Sequence, residues 1–143
     1  LVGSEMGRRD RYTVPGQVHY EATRKLVLRG VDGVVFVADS MRIQREKNID
    51  SLKDLEKNLK EKGLDIREIP LVMQYNKRDL EGTNIPILDI EEMEEDLNAS
   101  LNVPVFPASA LHGKGVFETL RAISKLVVKD VSRKVLAKMG ASR

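Results

Sequence analysis

The sequence predicts an α/β fold, a mostly parallel sheet with flanking helices, on three observations. Val34-Val35-Phe36-Val37-Ala38 is apolar at every position and rich in β-branched residues, the pattern of a parallel strand covered on both faces. Leu71-Val72-Met73-Gln74-Tyr75 and Val103-Pro104-Val105-Phe106 repeat that character less cleanly. Amphipathic stretches separate these runs, and strands alternating with helices build parallel sheets.

In chain order, residues 20–28 form a helix ended by Gly30, ahead of the first apolar strand. Residues 48–62 place Ile49, Leu52, Leu55 and Leu59 at helical spacing, with Gly63 as the C-cap, so a crossover helix joins the first two strands. Residues 89–100 form a short acidic helix. A long terminal helix over 115–138 carries Val116, Leu120, Ile123, Val127 and Val131 on one face.

The 143 residues, 41% hydrophobic and 32% charged, suit a single soluble domain over 1–143 in which 1–11 are irregular. No internal repeat or low-complexity segment interrupts it. There is no cysteine, which excludes disulfides and thiolate zinc sites and fits a reducing compartment; the cytoplasm is the expected location. A net charge of +2, from 24 basic and 22 acidic side chains, is far from the balance of a nucleic-acid binder. No long apolar span marks a transmembrane segment. The chain begins with Leu1, as expected of a fragment or a processed product.

In a parallel sheet, ligands bind outside the carboxyl ends of the strands, so the residues that follow each apolar run carry the functional reading. After 71–75 comes Asn76-Lys77-Arg78-Asp79. The Asp79 carboxylate is suited to accept two N–H groups from the Watson–Crick edge of guanine, which adenine cannot offer. The Lys77 stem can cover the base, and Asn76 can tie neighbouring loops together while reaching the imidazole side of a purine. After 103–106 comes Pro107-Ala108-Ser109-Ala110-Leu111, a loop of small residues whose Ala110 N–H is placed to donate to guanine O6. Upstream, in Thr13-Val14-Pro15-Gly16-Gln17, the Gly16 N–H can meet a terminal phosphate and Gln17 can orient an attacking water.

Those elements, in this order and spacing, resemble the Ras-like small GTPases, and more closely their bacterial gliding-motility and cell-polarity branch. The stretches that carry the likeness are 12–17, 24–33, 34–40, Asn76-Lys77-Arg78-Asp79-Leu80 and Gly113-Lys114-Gly115-Val116-Phe117-Glu118-Thr119-Leu120, nearly all of the chain after Arg11. Thr13 stands where most Ras-like proteins have Asp, a feature that resembles the gliding-motility branch. The resemblance implies a P-loop-NTPase-like G domain over 12–143. It also implies a GTP/GDP switch that hydrolyses GTP, with Gln17 catalytic and Gly16, Asn76, Lys77, Asp79, Ser109, Ala110 and Leu111 binding nucleotide. A roadblock-type GTPase-activating partner, effectors and a place in motility or polarity are implied with it.

One family element is missing. No Gly-x-x-x-x-Gly-Lys-Ser/Thr phosphate loop is present, and Gly3-Ser4-Glu5-Met6-Gly7-Arg8-Arg9 lacks its lysine and hydroxyl. The G domain is therefore expected to be N-terminally incomplete. Mg²⁺ belongs to the complete protein and has almost no ligands here, and the chain alone is expected to be inactive. In the Ras-like arrangement the first strand lies between the third and fourth, so its loss is expected to leave the strand at 34–38 with a bare apolar edge. The alternative is a degenerate, non-hydrolysing G domain that works as a protein-binding module.

Other polar features have plainer readings. Thr13 caps a turn, and His19 and His112 are surface residues. Glu91, Glu92, Glu94, Glu95 and Asp96 form the solvated face of a helix, and Lys125, Lys129, Arg133, Lys134 and Lys138 its basic counterpart at the end of the terminal helix. No His or carboxylate constellation suggests a metal site.

Overall fold

The computed structural model describes residues 2–3 and 31–141. Four strands, β1 (Val2–Gly3), β2 (Val31–Asp39), β3 (Leu71–Asn76) and β4 (Val105–Pro107), form one sheet in the order β1-β2-β3-β4. Among the described residues three α-helices accompany them: α1 (Arg45–Glu61), α2 (Ile90–Leu97) and α3 (Val116–Ala141). The expected helix over 20–28 lies outside the described residues.

The three main strands are parallel. Val34 faces Leu71 and Asp39 faces Asn76 between β2 and β3, and Met73 faces Val105 and Tyr75 faces Pro107 between β3 and β4. Alternation along each strand sorts the side chains into two cores. Val34, Phe36, Ala38, Leu71, Met73 and Tyr75 point to α1 and α2, where Leu55, Leu59, Met93 and Leu97 meet them. On the other face Val72, Val35 and Phe106 pack with Ile123, Leu126 and Val127 of α3. Each large side chain removed from water contributes roughly 1.5–3 kcal/mol.

Helix α1 ends as its sequence predicts. Gly63 takes φ 75°, its N–H donates to Lys60 O at 2.9 Å and the Leu64 N–H donates to Leu59 O at 2.9 Å. These two bonds close the last turn and satisfy carbonyls that the helix itself leaves open. Helix α2 is shorter than the expected 89–100, because Asn98 turns the chain out of it. The Asn98 amide donates to Val103 O at 3.0 Å and its Oδ1 accepts the Val103 N–H at 2.9 Å, so the side chain replaces a helical turn and aims the chain at β4.

One expectation for β2 changes. Coverage is complete on one face only: Ala38 is fully buried, whereas Val37 on the opposite face is 53% exposed. Helix α3 crosses the strand at Gly33, where a Cβ would lie 2.6 Å from Val127 Cγ2, and leaves Val37 uncovered. The outer edge of β2 is not wholly bare. Val2–Gly3, within the stretch expected to be irregular, pairs antiparallel with it at Gly33 and Val31. Among the described residues no strand lies beside 34–39 on that side. Val131, expected on the packed face of α3, is 46% exposed.

Two buried polar groups lock sheet to helix. Gln74, on the α3 face of β3, donates to Thr119 Oγ1 at 2.9 Å, and Thr119 donates onward to Gly115 O at 2.6 Å. On the other face the Tyr75 hydroxyl donates to Glu94 at 2.7 Å, and Asn98 also donates to that carboxylate. Burial, and then the Glu94 carboxylate, push the Tyr75 phenol well above the ordinary tyrosine range. The folded state therefore keeps a proton that the unfolded chain releases near pH 10, so this contribution to stability is complete below about pH 10 and is lost as pH rises beyond it. Urea midpoints followed from pH 8 to 11 are expected to fall more steeply above about pH 10 in the native sequence than in Tyr75→Phe; parallel curves would remove the assignment.

Candidate functional site: a base-recognition edge

The sheet register levels the carboxyl ends of β2, β3 and β4, and the segments leaving them are bonded to one another. The Ser40 N–H donates to Asn76 O (3.1 Å), the Ala108 N–H to Tyr75 O (2.8 Å) and the Arg78 N–H to Ala108 O (3.0 Å). Asn76–Asp79 thus lies between the segment after β2 and the segment after β4, tied to both by backbone before any side chain is considered.

Side chains complete the ties. Ser109 donates through its hydroxyl to Asp79 Oδ1 at 2.9 Å, and the Ala110 N–H donates to Asn76 Oδ1 at 2.8 Å. Ser109 is 4% exposed, so its hydroxyl fixes the carboxylate from the protein side. One Asp79 oxygen is engaged there, and acceptor capacity remains on the other for a pair of N–H donors. Asn76 spends its carbonyl oxygen on the neighbouring loop and retains its amide as a donor. The sequence reading aimed the Ala110 N–H at guanine O6; in this structure that donor serves Asn76. Leu111 lies in the short 3₁₀ turn Ala110–His112 and is 81% exposed, joining none of these contacts. Gly16 and Gln17, with Thr13 and His19, lie outside the described residues.

Lys77 takes a left-handed backbone conformation, φ 68° and ψ 28°, which permits the chain to leave β3 and enter the 3₁₀ turn Arg78–Leu80 at once. Its ammonium reaches back across the sheet edge to Asp39 Oδ2 at 2.8 Å. Arg78 points the other way, donating to Leu88 O at 2.6 Å and holding down the segment before α2. Sequence reasoning missed Asp39. The signal was present, since Asp39 and Ser40 stand directly after the first apolar run just as Asn76–Asp79 stands after the second.

The glycines beyond the site are structural. Ser109 and Lys114 exchange backbone hydrogen bonds, each 2.9 Å, which closes the loop on itself. Gly115 has φ 77°, and a Cβ on it would collide with the Pro107 carbonyl oxygen. The acidic cluster is likewise engaged elsewhere: Glu92 pairs with Arg42 at 3.0 Å and Asp96 with Arg45 at 2.7 Å. Among the described residues no group of three or more His, Asp or Glu is placed to hold a metal ion. No helix among them is long and apolar enough to cross a membrane.

Three parallel strands with flanking helices are the arrangement of an α/β P-loop GTPase fold. The chain belongs to the ADP-ribosylation factor family of Ras-like GTPases, whose model matches residues 10–127. It is 52% identical over 122 residues to the mutual gliding-motility protein MglA of Myxococcus xanthus (strain DK1622), in an alignment covering 85% of this chain and 60% of that protein. The chain thus spans about three fifths of the length of that relative.

Gly115→Ala is expected to lower stability by about 2–4 kcal/mol, from a strained φ and a clash with backbone that cannot rotate away. Chemical denaturation measures this; a change under about 0.5 kcal/mol would show that the loop is not fixed as described.

Proposed function

We propose that this chain is the base-recognising part of a GTP-binding switch that hydrolyses GTP to GDP. The observation that carries the reading is the convergence of Asp79, Ser109, Asn76 and Ala110 at the carboxyl ends of adjacent parallel strands. An acceptor carboxylate braced by a buried hydroxyl suits the paired N–H groups of guanine, and an isolated Asn-Lys-x-Asp turn would need no such bracing. The family match and the likeness to MglA support the same nucleotide. They also favour the switch over a degenerate binding module.

The catalytic step is assigned to Gln17, orienting water, with Gly16 at the terminal phosphate. Mg²⁺ would neutralise charge on the phosphates, held by residues other than those described. Partner-assisted closure by a roadblock-type protein, a role in motility or polarity, and a cytoplasmic location extend the reading by resemblance to the gliding-motility branch. A polypeptide of these 143 residues has no phosphate-loop motif. It forgoes several charge-assisted contacts, each about 1.5–3 kcal/mol, and is expected to bind nucleotide weakly. Sub-micromolar binding of fluorescent GDP by these residues alone would overturn that expectation.

In the full-length protein Asp79→Asn is expected to weaken guanine nucleotide binding and to strengthen xanthine nucleotide binding, shifting the ratio at least about 10- to 100-fold, because the amide donates where guanine presents an amine. Competition between GDP and xanthosine diphosphate measures the ratio; an unchanged ratio would remove Asp79 from base recognition.

A further inference from the structure

We infer that Asp39 is a positioning residue for the base site, a tether that holds the Lys77 stem across the sheet edge as a fixed cover for the purine face. The inference rests on the guanine-nucleotide reading above and adds a residue to it.

Lys77 sits in a left-handed conformation that most L-residues avoid and that glycine would adopt without strain. The Lys77 side chain is 42% exposed, yet it has a fixed partner: its ammonium lies 2.8 Å from Asp39 Oδ2. Because Asp39 faces Asn76 in the β2–β3 register, the four-carbon stem must run laterally, from the exit of β3 over to the end of β2. A planar ligand seated on Asp79 would meet methylene groups there, held in one orientation.

The anchor itself is unusually well fixed. Asp39 Oδ1 accepts the Met41 N–H at 2.9 Å, which turns the chain after β2 and sets the carboxylate plane. Asn48, a 7%-exposed residue in the first half of α1, grips the Asp39 backbone from both sides: its Oδ1 accepts the Asp39 N–H at 3.1 Å and its Nδ2 donates to Asp39 O at 2.9 Å. Strand end, helix and carboxylate are thereby bonded together. Tying the ammonium to Asp39 also gives Lys77 a partner other than a phosphate and leaves its role to the stem.

The consequences are specific. A tethered stem covers any purine, so loss of the tether weakens guanine and hypoxanthine nucleotides alike, whereas Asp79 reads the exocyclic amine that hypoxanthine lacks. Lys77→Met keeps a stem of similar length and loses the tether, so it already incurs whatever Asp39→Asn incurs. Asp39→Asn preserves an oxygen for the Met41 N–H and removes only the charge.

The test uses the full-length protein, with fluorescent GDP and inosine diphosphate as probes. Asp39→Asn is expected to weaken both by the same factor, about 3- to 10-fold for a partly exposed pair. In the Lys77→Met background it is expected to change neither by more than about 2-fold. An equal loss in both backgrounds would show that Asp39 acts only through the fold, and a GDP-selective loss would place it in amine recognition; either result overturns the inference. If the native protein does not prefer GDP to ADP, the guanine reading fails and the inference with it, an outcome distinct from both.

Discussion

Everything at the proposed site depends on the parallel register that sets Asp39 beside Asn76 and Tyr75 beside Pro107. Level strand ends bring three short segments within backbone hydrogen-bonding distance of one another, and those bonds leave little choice about where Asp79, Ser109 and Ala110 lie. A slip of one residue in β3 would exchange the faces of Met73 and Gln74, burying an amide among α1 and α2 side chains and turning Tyr75 away from Glu94. The buried side chains on both faces therefore protect the site geometry as well as the core.

The polar groups on the edge are mostly bonded to each other. Asn76 holds Ala110, Ser109 holds Asp79 and Asp39 holds Lys77. Such ties reduce the ordering that a ligand must otherwise impose, a cost of about 0.5–1.5 kcal/mol for each flexible side chain immobilised on binding. They also divide the work. Asp79 remains able to accept through its second oxygen and Asn76 to donate through its amide, while each group's remaining capacity is spent on position. The Ala110 N–H, already donated to Asn76, must be shared or released if it is to reach a base oxygen.

Periodicity made the larger elements legible. The spacing of Leu52, Leu55 and Leu59 with Gly63 marked α1 and its stop, and the apolar runs at 34–38 and 71–75 marked the two longest strands. The edges of these elements were set by bonds that periodicity does not encode. Asn98 ends α2 through Val103, and β4 begins at Val105, one residue beyond Pro104, which has no N–H for a ladder. Coverage of Val37 was misjudged because an apolar strand states that both faces can be buried, and the path of α3 past Gly33 decides which part of the second face is.

Within the proposed site, the position of Asn76 and Asp79 at the end of a strand was legible from the apolar run before them. The pairing of Asp39 with Lys77 was not, because it joins residues 38 positions apart through a register known only once the strands are aligned. Asn48 was hidden more deeply still: at helical spacing it reads as a polar residue at a helix start, and only the structure shows it gripping the end of β2.

The central claim is that the proposed base-recognition edge is assembled before any nucleotide arrives. Amide hydrogen exchange at Ala110 in nucleotide-free protein tests it most directly, because that N–H has a bonding partner only if the loops after β3 and β4 are already joined. Exchange slowed at least about 100-fold relative to an unstructured peptide is predicted; exchange at the peptide rate would contradict the account.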